Sequence, residues 1–101
     1  MAAEIVAIVN PASANGRTPA AFGRALPYLP QGVVVMCAKS PGHASELTAE
    51  ALRAGASTIV AVGGDGTLNE VVNGFFSDDH LIAPEARLAW IPSGTGMDFR
   101  R

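Results

Sequence analysis

Thr58-Ile59-Val60-Ala61-Val62 runs directly into Gly63-Gly64-Asp65-Gly66 and on to Thr67-Leu68-Asn69-Glu70-Val71-Val72-Asn73-Gly74. The first stretch is uncharged and rich in β-branched residues, which suit the pleated surface of a buried strand. Gly63, Gly64 and Gly66 then mark a turn, because glycine adopts backbone conformations closed to other residues. Beyond the turn the spacing changes. Leu68, Val71, Val72, Phe75 and Phe76 fall on one stripe of a helix that is expected to begin at Thr67. A buried strand, a glycine turn and an amphipathic helix form the repeating half-unit of a parallel α/β sheet.

The rest of the chain repeats that unit. Ile5–Val9 is a β-branched run that stops at the turn signal Asn10-Pro11. Thr18-Pro19 has the form of an N-cap followed by proline in the first turn, with a helix to about Leu26 before Pro27 and Pro30. Val33–Ala38 is a second apolar run. Ser40-Pro41 repeats the cap-and-proline signature, and Ala44, Leu47, Thr48, Ala51 and Leu52 then recur at helical spacing up to a stop at Gly55. Asp78–Glu85 reads as a loop, Ala86–Ile91 as a fourth strand, Pro92–Gly96 as a turn and Met97–Arg101 as the start of a helix. The order β-α-β-α-β-α-β with continuous apolar strands implies a three-layer α/β/α fold around a mostly parallel sheet.

With 101 residues, the chain holds one domain and one modest core. Apolar residues make up 49% and charged residues 16%, with a net charge of -2. That balance gives no electrostatic footprint for nucleic acid. A single cysteine, Cys37, excludes a disulfide framework within the chain and reads as a small strand residue. No run approaches the roughly 20 apolar residues that span a bilayer. Glu4 stands where a signal peptide carries a basic residue. The expectation is a cytoplasmic protein whose membrane contact, if any, is peripheral.

Ligands of such sheets bind beyond the C-terminal ends of the strands. Three unusual turns occupy such ends: Asn10–Arg17, Gly63–Thr67 and Pro92–Gly96. They are expected to converge on one site. The glycine turn followed by a helix N-terminus suits a phosphate, which meets unpaired N–H groups and a partial positive charge there. Asp65 is positioned to hold Mg²⁺ through water or to take a proton from an attacking hydroxyl, and Thr67 to bond a phosphate oxygen. A purely structural reading stands beside this one. Thr67-Leu68-Asn69-Glu70 is also a capping box, with Thr67 as N-cap and Glu70 three residues on. His43 reads as an exposed residue at a helix start, Asp78-Asp79-His80 as a solvated loop, Trp90 as a core residue and Arg100-Arg101 as a solvated end.

The string Gly63–Gly74 resembles the GGDGTLNEVVNG signature of the diacylglycerol kinase catalytic family, which includes bacterial lipid kinases and sphingosine kinases. Three further matches follow the order of that family. Asn10-Pro11-Ala12-Ser13 resembles its NPxSG opening, Gly42-His43-Ala44 with Glu46-Leu47 its GHAxEL segment, and Pro92–Gly96 with Asp98-Phe99 its PxGTGNDF turn. The resemblance implies an ATP-dependent transfer of phosphate to a lipid hydroxyl, with Mg²⁺. It implies nucleotide contacts at Asn10, Ser13, Gly63, Gly64, Asp65, Gly66, Thr67, Asn69, Glu70, Gly94 and Thr95. It places the Mg²⁺ carboxylates and the general base in a second domain, so Asp65 is a candidate catalytic residue only from its place in the turn. No metal ligand is assigned with certainty.

Ala38 stands where the family usually has threonine, Met97 where it has the asparagine of GTGND, and Ala14 where it often has glycine. The resemblance also implies that residues 1–101 are a partial nucleotide-binding domain, that a β-rich second domain lies outside them, and that this part alone is inactive. With sheet edges and a cleft wall uncovered, such a part is expected to self-associate. Two alternatives stand. One is a non-catalytic module binding a nucleotide or a partner. The other is a different kinase with the same GGDGT turn, such as an NAD kinase.

Overall fold

The computed structural model describes residues 4–10 and 32–92. The expected helix after Thr18 and the segment from Ser93 to Arg101 lie outside the described residues. Four strands form one parallel sheet: β1 (Ile5–Val9), β2 (Val34–Cys37), β3 (Thr58–Gly63) and β6 (Arg87–Pro92). Their order is β2-β1-β3-β6. The chain thus steps outward from β1 to β2 and then returns past β1 to β3. A sheet of this kind opens a crevice where the order reverses, outside the ends of β1 and β3. Val9 pairs in register with Val62, so Asn10 and Gly63 follow side by side at that point. The Asn10 N–H donates to the Val62 carbonyl at 3.2 Å.

The two central strands are buried on both faces, as their unbroken apolar runs require. Val6, Ile8, Ile59 and Ala61 face helices α1 (His43–Arg53) and α2 (Asp65–Gly74). Ala7, Val9, Val60 and Val62 form a second cluster on the opposite face. Ile8, Ile59, Val62 and Val71 are fully buried side chains, each contributing about 1.5–3 kcal/mol.

Helix α1 ends as expected. Gly55 takes φ 106, its N–H reaches the Leu52 carbonyl and that of Ala56 reaches Ala51, both at 3.0 Å. These are the two bonds of a Schellman stop. Its start differs from the cap-and-proline expectation. The N-cap is Gly42 at φ 85, with no side-chain cap. Ser40 serves through its backbone, accepting the His43 N–H at 3.0 Å. His43 is half-buried rather than exposed, and its Nδ1 accepts the Lys39 N–H at 2.9 Å. The ring closes the turn that the left-handed glycine opens.

Helix α2 also begins earlier than expected. Gly64 is the N-cap, and the first helical bond runs from the Leu68 N–H to the Gly64 carbonyl at 3.1 Å. Thr67 is therefore the third helical residue and caps nothing, which removes the capping-box reading. Helix α2 stops at Gly74. Phe75 is buried just past it, while Val72 and Phe76 are exposed. A hairpin of β4 (Phe76–Ser77) and β5 (His80–Leu81) follows, taking Phe76 from the expected helical stripe and its turn and second strand from the loop expected over Asp78–Glu85. Asp78 and Asp79 make its two-residue turn at φ 52 and 66, the left-handed pair that a tight hairpin demands.

Candidate phosphate-binding site

The start and first two turns of α2 carry seven of the eleven residues singled out in the sequence, five of them accessible. Asp65, Gly66 and Asn69 are exposed, Gly64 and Glu70 half-buried. Gly63 and Thr67 are buried. The first N–H groups of a helix have no intrahelical acceptor. Here they open beside the end of β1, where Asn10 stands.

The glycines of this turn divide by role. Gly63 sits at φ 155, a conformation that side chains rarely allow, so the backbone itself requires it. Gly64 is extended at φ -85 and ψ -167, which any residue adopts. A Cβ added at Gly64 or at Gly66 would meet nothing within 4 Å. Among the described residues, neither the backbone nor the packing calls for glycine at these two positions. What their bareness preserves is open space over the N-terminus of α2, where a ligand can approach the backbone closely.

A cleft of about 630 Å³ lies beside the turn, lined by Asn10, residues 37–41 and Glu70. It brings together two expected residues from different elements, Asn10 and Glu70. The glycines themselves are not in its lining. Lys39 and Ser40 are additions that the sequence reading missed. They sit just beyond the end of β2, ahead of the Gly42 turn that opens α1. Ala38 lines the same cleft, with a methyl group at the position where the resemblance leads one to expect a hydroxyl. Glu70 is tied down from below: the Ser45 hydroxyl of α1 donates to its carbonyl at 2.6 Å. Ser13, Gly94 and Thr95 lie outside the described residues.

Thr67 has an unusual position. It is 2% exposed, and its hydroxyl is buried without a hydrogen-bond partner among the described residues. Thr48 on α1 is equally buried, but its hydroxyl donates to the Ala44 carbonyl at 2.8 Å, one turn back. The residue one turn before Thr67 is Gly63, which belongs to β3 and not to the helix. Its carbonyl accepts the Trp90 indole N–H at 3.0 Å. A buried unsatisfied hydroxyl costs about 1–3 kcal/mol. Thr67→Val keeps the shape and removes that cost, so we expect it to raise the stability of the free chain by about 1 kcal/mol. A thermal melt checks this, and a lowered midpoint would show that the hydroxyl does have a partner.

Trp90 is not the core residue expected. It is 40% exposed on β6, which pairs only with β3 among the described residues. Helix α2 packs mainly over the sheet's centre, leaving Leu88 and Trp90 partly open.

The sequence profile of the diacylglycerol kinase catalytic domain matches residues 4–101. This chain belongs to that family. Two curated relatives carry the description "Probable lipid kinase YegS-like". One, from Pseudomonas putida, is 50% identical over 60 residues, covering 59% of this chain and 19% of the relative. The other, from Xanthomonas campestris pv. campestris, is 41% identical over 58 residues, covering 57% and 19%. A solved diacylglycerol kinase from Bacillus anthracis superposes with a TM-score of 0.70 at 27% identity, over 96% of this chain and 35% of the other. The chain thus spans about a fifth of the curated relatives and about a third of the solved structure. The four-stranded parallel sheet with its helices is the family's fold.

Proposed function

We propose that this chain supplies the ATP-binding half of a lipid kinase that transfers a phosphoryl group to a lipid hydroxyl. The observation that carries the reading is the open space over Gly64 and Gly66 at the N-terminus of α2. A phosphate seated there accepts hydrogen bonds from the first-turn N–H groups and meets the positive end of the helix dipole. ATP, bound with Mg²⁺, would supply the transferable group.

The residues of this chain bind and orient. Asn69 lies one turn further along the exposed side of α2 and Asn10 at the strand switch point, both within the polar surround of the cradle. Asp65, exposed at the helix start, is placed to bind Mg²⁺ through water or to accept the proton of the acceptor hydroxyl. Ser13, Gly94 and Thr95 complete the proposed set. Among the described residues no three His, Cys, Asp or Glu side chains gather as a metal site. Mg²⁺ is therefore proposed to arrive with the nucleotide, as it commonly does, held by one or two carboxylates and phosphate oxygens. Catalysis of this type rests on positioning and on charge neutralisation. The part of the relatives that this chain does not span is proposed to supply the lipid site, so the chain alone binds but does not turn over. No helix among the described residues is long and apolar enough to cross a membrane. Contact with a lipid surface, under this reading, is peripheral.

A second reading is a binding module without chemistry. Ala38 in the cleft lining favours it, because a hydroxyl expected near the nucleotide is absent. The NAD kinase alternative loses ground to the family match across residues 4–101.

Calorimetric titration of the chain with Mg·ATP tests the cradle. A saturable single-site heat that ADP competes away is expected, and no heat at all would defeat the reading for this chain. In the longer protein, Asp65→Asn is expected to lower the phosphoryl-transfer rate by about 100-fold or more, the range of a positioned proton acceptor. An unchanged rate would remove Asp65 from the chemistry, and absence of any transfer in the unaltered protein would favour the binding module.

A further inference from the structure

We infer that Trp90 is a positioning residue for the phosphate cradle, its indole N–H holding the Gly63–Gly64 peptide in the orientation that presents the Gly64 N–H to the ligand; this rests on the nucleotide reading above. The geometry begins with the sheet. Trp90 is in register with Ala61 on β3, two residues before Gly63, and the two side chains share a face. Ala61 is small and leaves the ring room to lean along the strand. The indole Nε1–H then reaches the Gly63 carbonyl at 3.0 Å, across 27 residues of sequence.

That carbonyl belongs to the peptide joining the two glycines. A peptide unit is planar and trans, so its C=O and N–H point in opposite directions. Fixing the Gly63 oxygen toward the indole therefore fixes the Gly64 N–H away from it. A peptide flanked by glycines on both sides is the one most free to rotate, because neither neighbour has a Cβ to restrict it. Gly63 must be glycine for its φ of 155, and Gly64 must stay bare for the ligand, so side chains within the turn cannot supply the restraint. Trp90, on the neighbouring strand, supplies it from outside. Ordering the peptide in advance removes a cost that binding would otherwise carry. The partial exposure of the ring fits this role: the residue sits at the site's edge with its one polar atom turned inward.

Trp90→Phe keeps an aromatic ring and deletes the N–H. Mg·ATP is titrated into both proteins, and ¹⁵N relaxation dispersion is recorded at the Gly64 amide. The variant is expected to bind about 5-fold more weakly, the worth of one net hydrogen bond. Its Gly64 amide is expected to show microsecond–millisecond exchange that saturating Mg·ATP suppresses, a signature that a general loss of packing would not produce. Equal affinity in the two proteins, with a quiet Gly64 amide, overturns the inference and leaves the nucleotide reading standing. No binding by the unaltered chain overturns both, and is recognisable as such. Should the variant not fold, hydrogen exchange of the Trp90 indole decides in the unaltered protein. Slower exchange with Mg·ATP supports the restraint, and an unchanged rate overturns it.

Discussion

Gly74→Ala is expected to destabilise the chain by about 2 kcal/mol, the middle of the range for overpacking a closed contact. For a domain of this size that corresponds to a fall of roughly 10 °C in the melting midpoint. A Cβ at Gly74 would lie 2.6 Å from the Ser45 carbonyl oxygen and 2.6 Å from the Thr48 Cβ. Neither atom is the free end of a flexible side chain. The carbonyl is part of α1, and Thr48 is fully buried with its hydroxyl committed to Ala44. Relief requires α1 and α2 to move apart. Helix propensity works the other way, favouring alanine over glycine by up to about 1 kcal/mol, and we expect the clash to win. Separation would also stretch the Ser45–Glu70 bond, the tie that holds Glu70 at the cleft. Differential scanning calorimetry reads the midpoint directly. An unchanged midpoint would mean that the helices have slack at their crossing, contrary to the distances.

The last glycine of the Gly63–Gly74 string is thus a packing requirement, while the ones near its start are not, and nothing in the letters distinguishes them. The strands were legible because each carries a short, largely apolar run, β-branched in β1 and β3, bounded by turn signals. Even the ends agreed to within a residue, as at Val34–Cys37 and Arg87–Pro92. Helix starts were less legible. Ser40 and Thr67 are both good caps by chemistry, yet Gly42 and Gly64 take the role, because a glycine turn already sets the entry angle of each helix. The hairpin at Phe76–Leu81 escaped notice since two-residue strands are too short to show alternation, and Asp-Asp is a rarer turn pair than Asn-Gly. Trp90 was misjudged for a different reason. Its apolar neighbours indicate a strand but not the strand's place in the sheet, and among the described residues β6 is an edge strand, which exposes what a central one buries. Of the site, sequence placed Asn10, Gly64, Asp65, Gly66, Asn69 and Glu70 where the fold does bring them to one end of the sheet. Ser40 was read only as a helix cap and Lys39 carries no pattern of its own, so neither was placed at the cleft that they line.

Gly66→Ala and Gly64→Val separate ligand from fold more sharply than any other change. Gly66 lies in the first turn of α2, its added Cβ meeting nothing within 4 Å. Alanine there gains helix propensity, so the variant is expected to be more stable by up to about 1 kcal/mol. Gly64 is extended and equally open, and valine there gives up a favourable N-cap residue at a cost of about 0.5–1 kcal/mol. Both nevertheless place carbon in the space where a phosphate would approach the backbone. Each is expected to weaken Mg·ATP binding, by about 10-fold for the smaller alanine and beyond detection for valine, since a lost charge-assisted hydrogen bond alone accounts for about 1.5–3 kcal/mol. For Gly66→Ala the two effects have opposite signs, a stabler protein that binds less. Loss of binding through unfolding cannot produce that pattern, and neither can a glycine kept only for the backbone. Calorimetric titration beside a thermal melt measures both quantities on the same sample. If Gly66→Ala gains stability and keeps full affinity, the phosphate does not sit over the start of α2, and the cleft between Asn10, Lys39 and Glu70 becomes the place to look for the ligand instead.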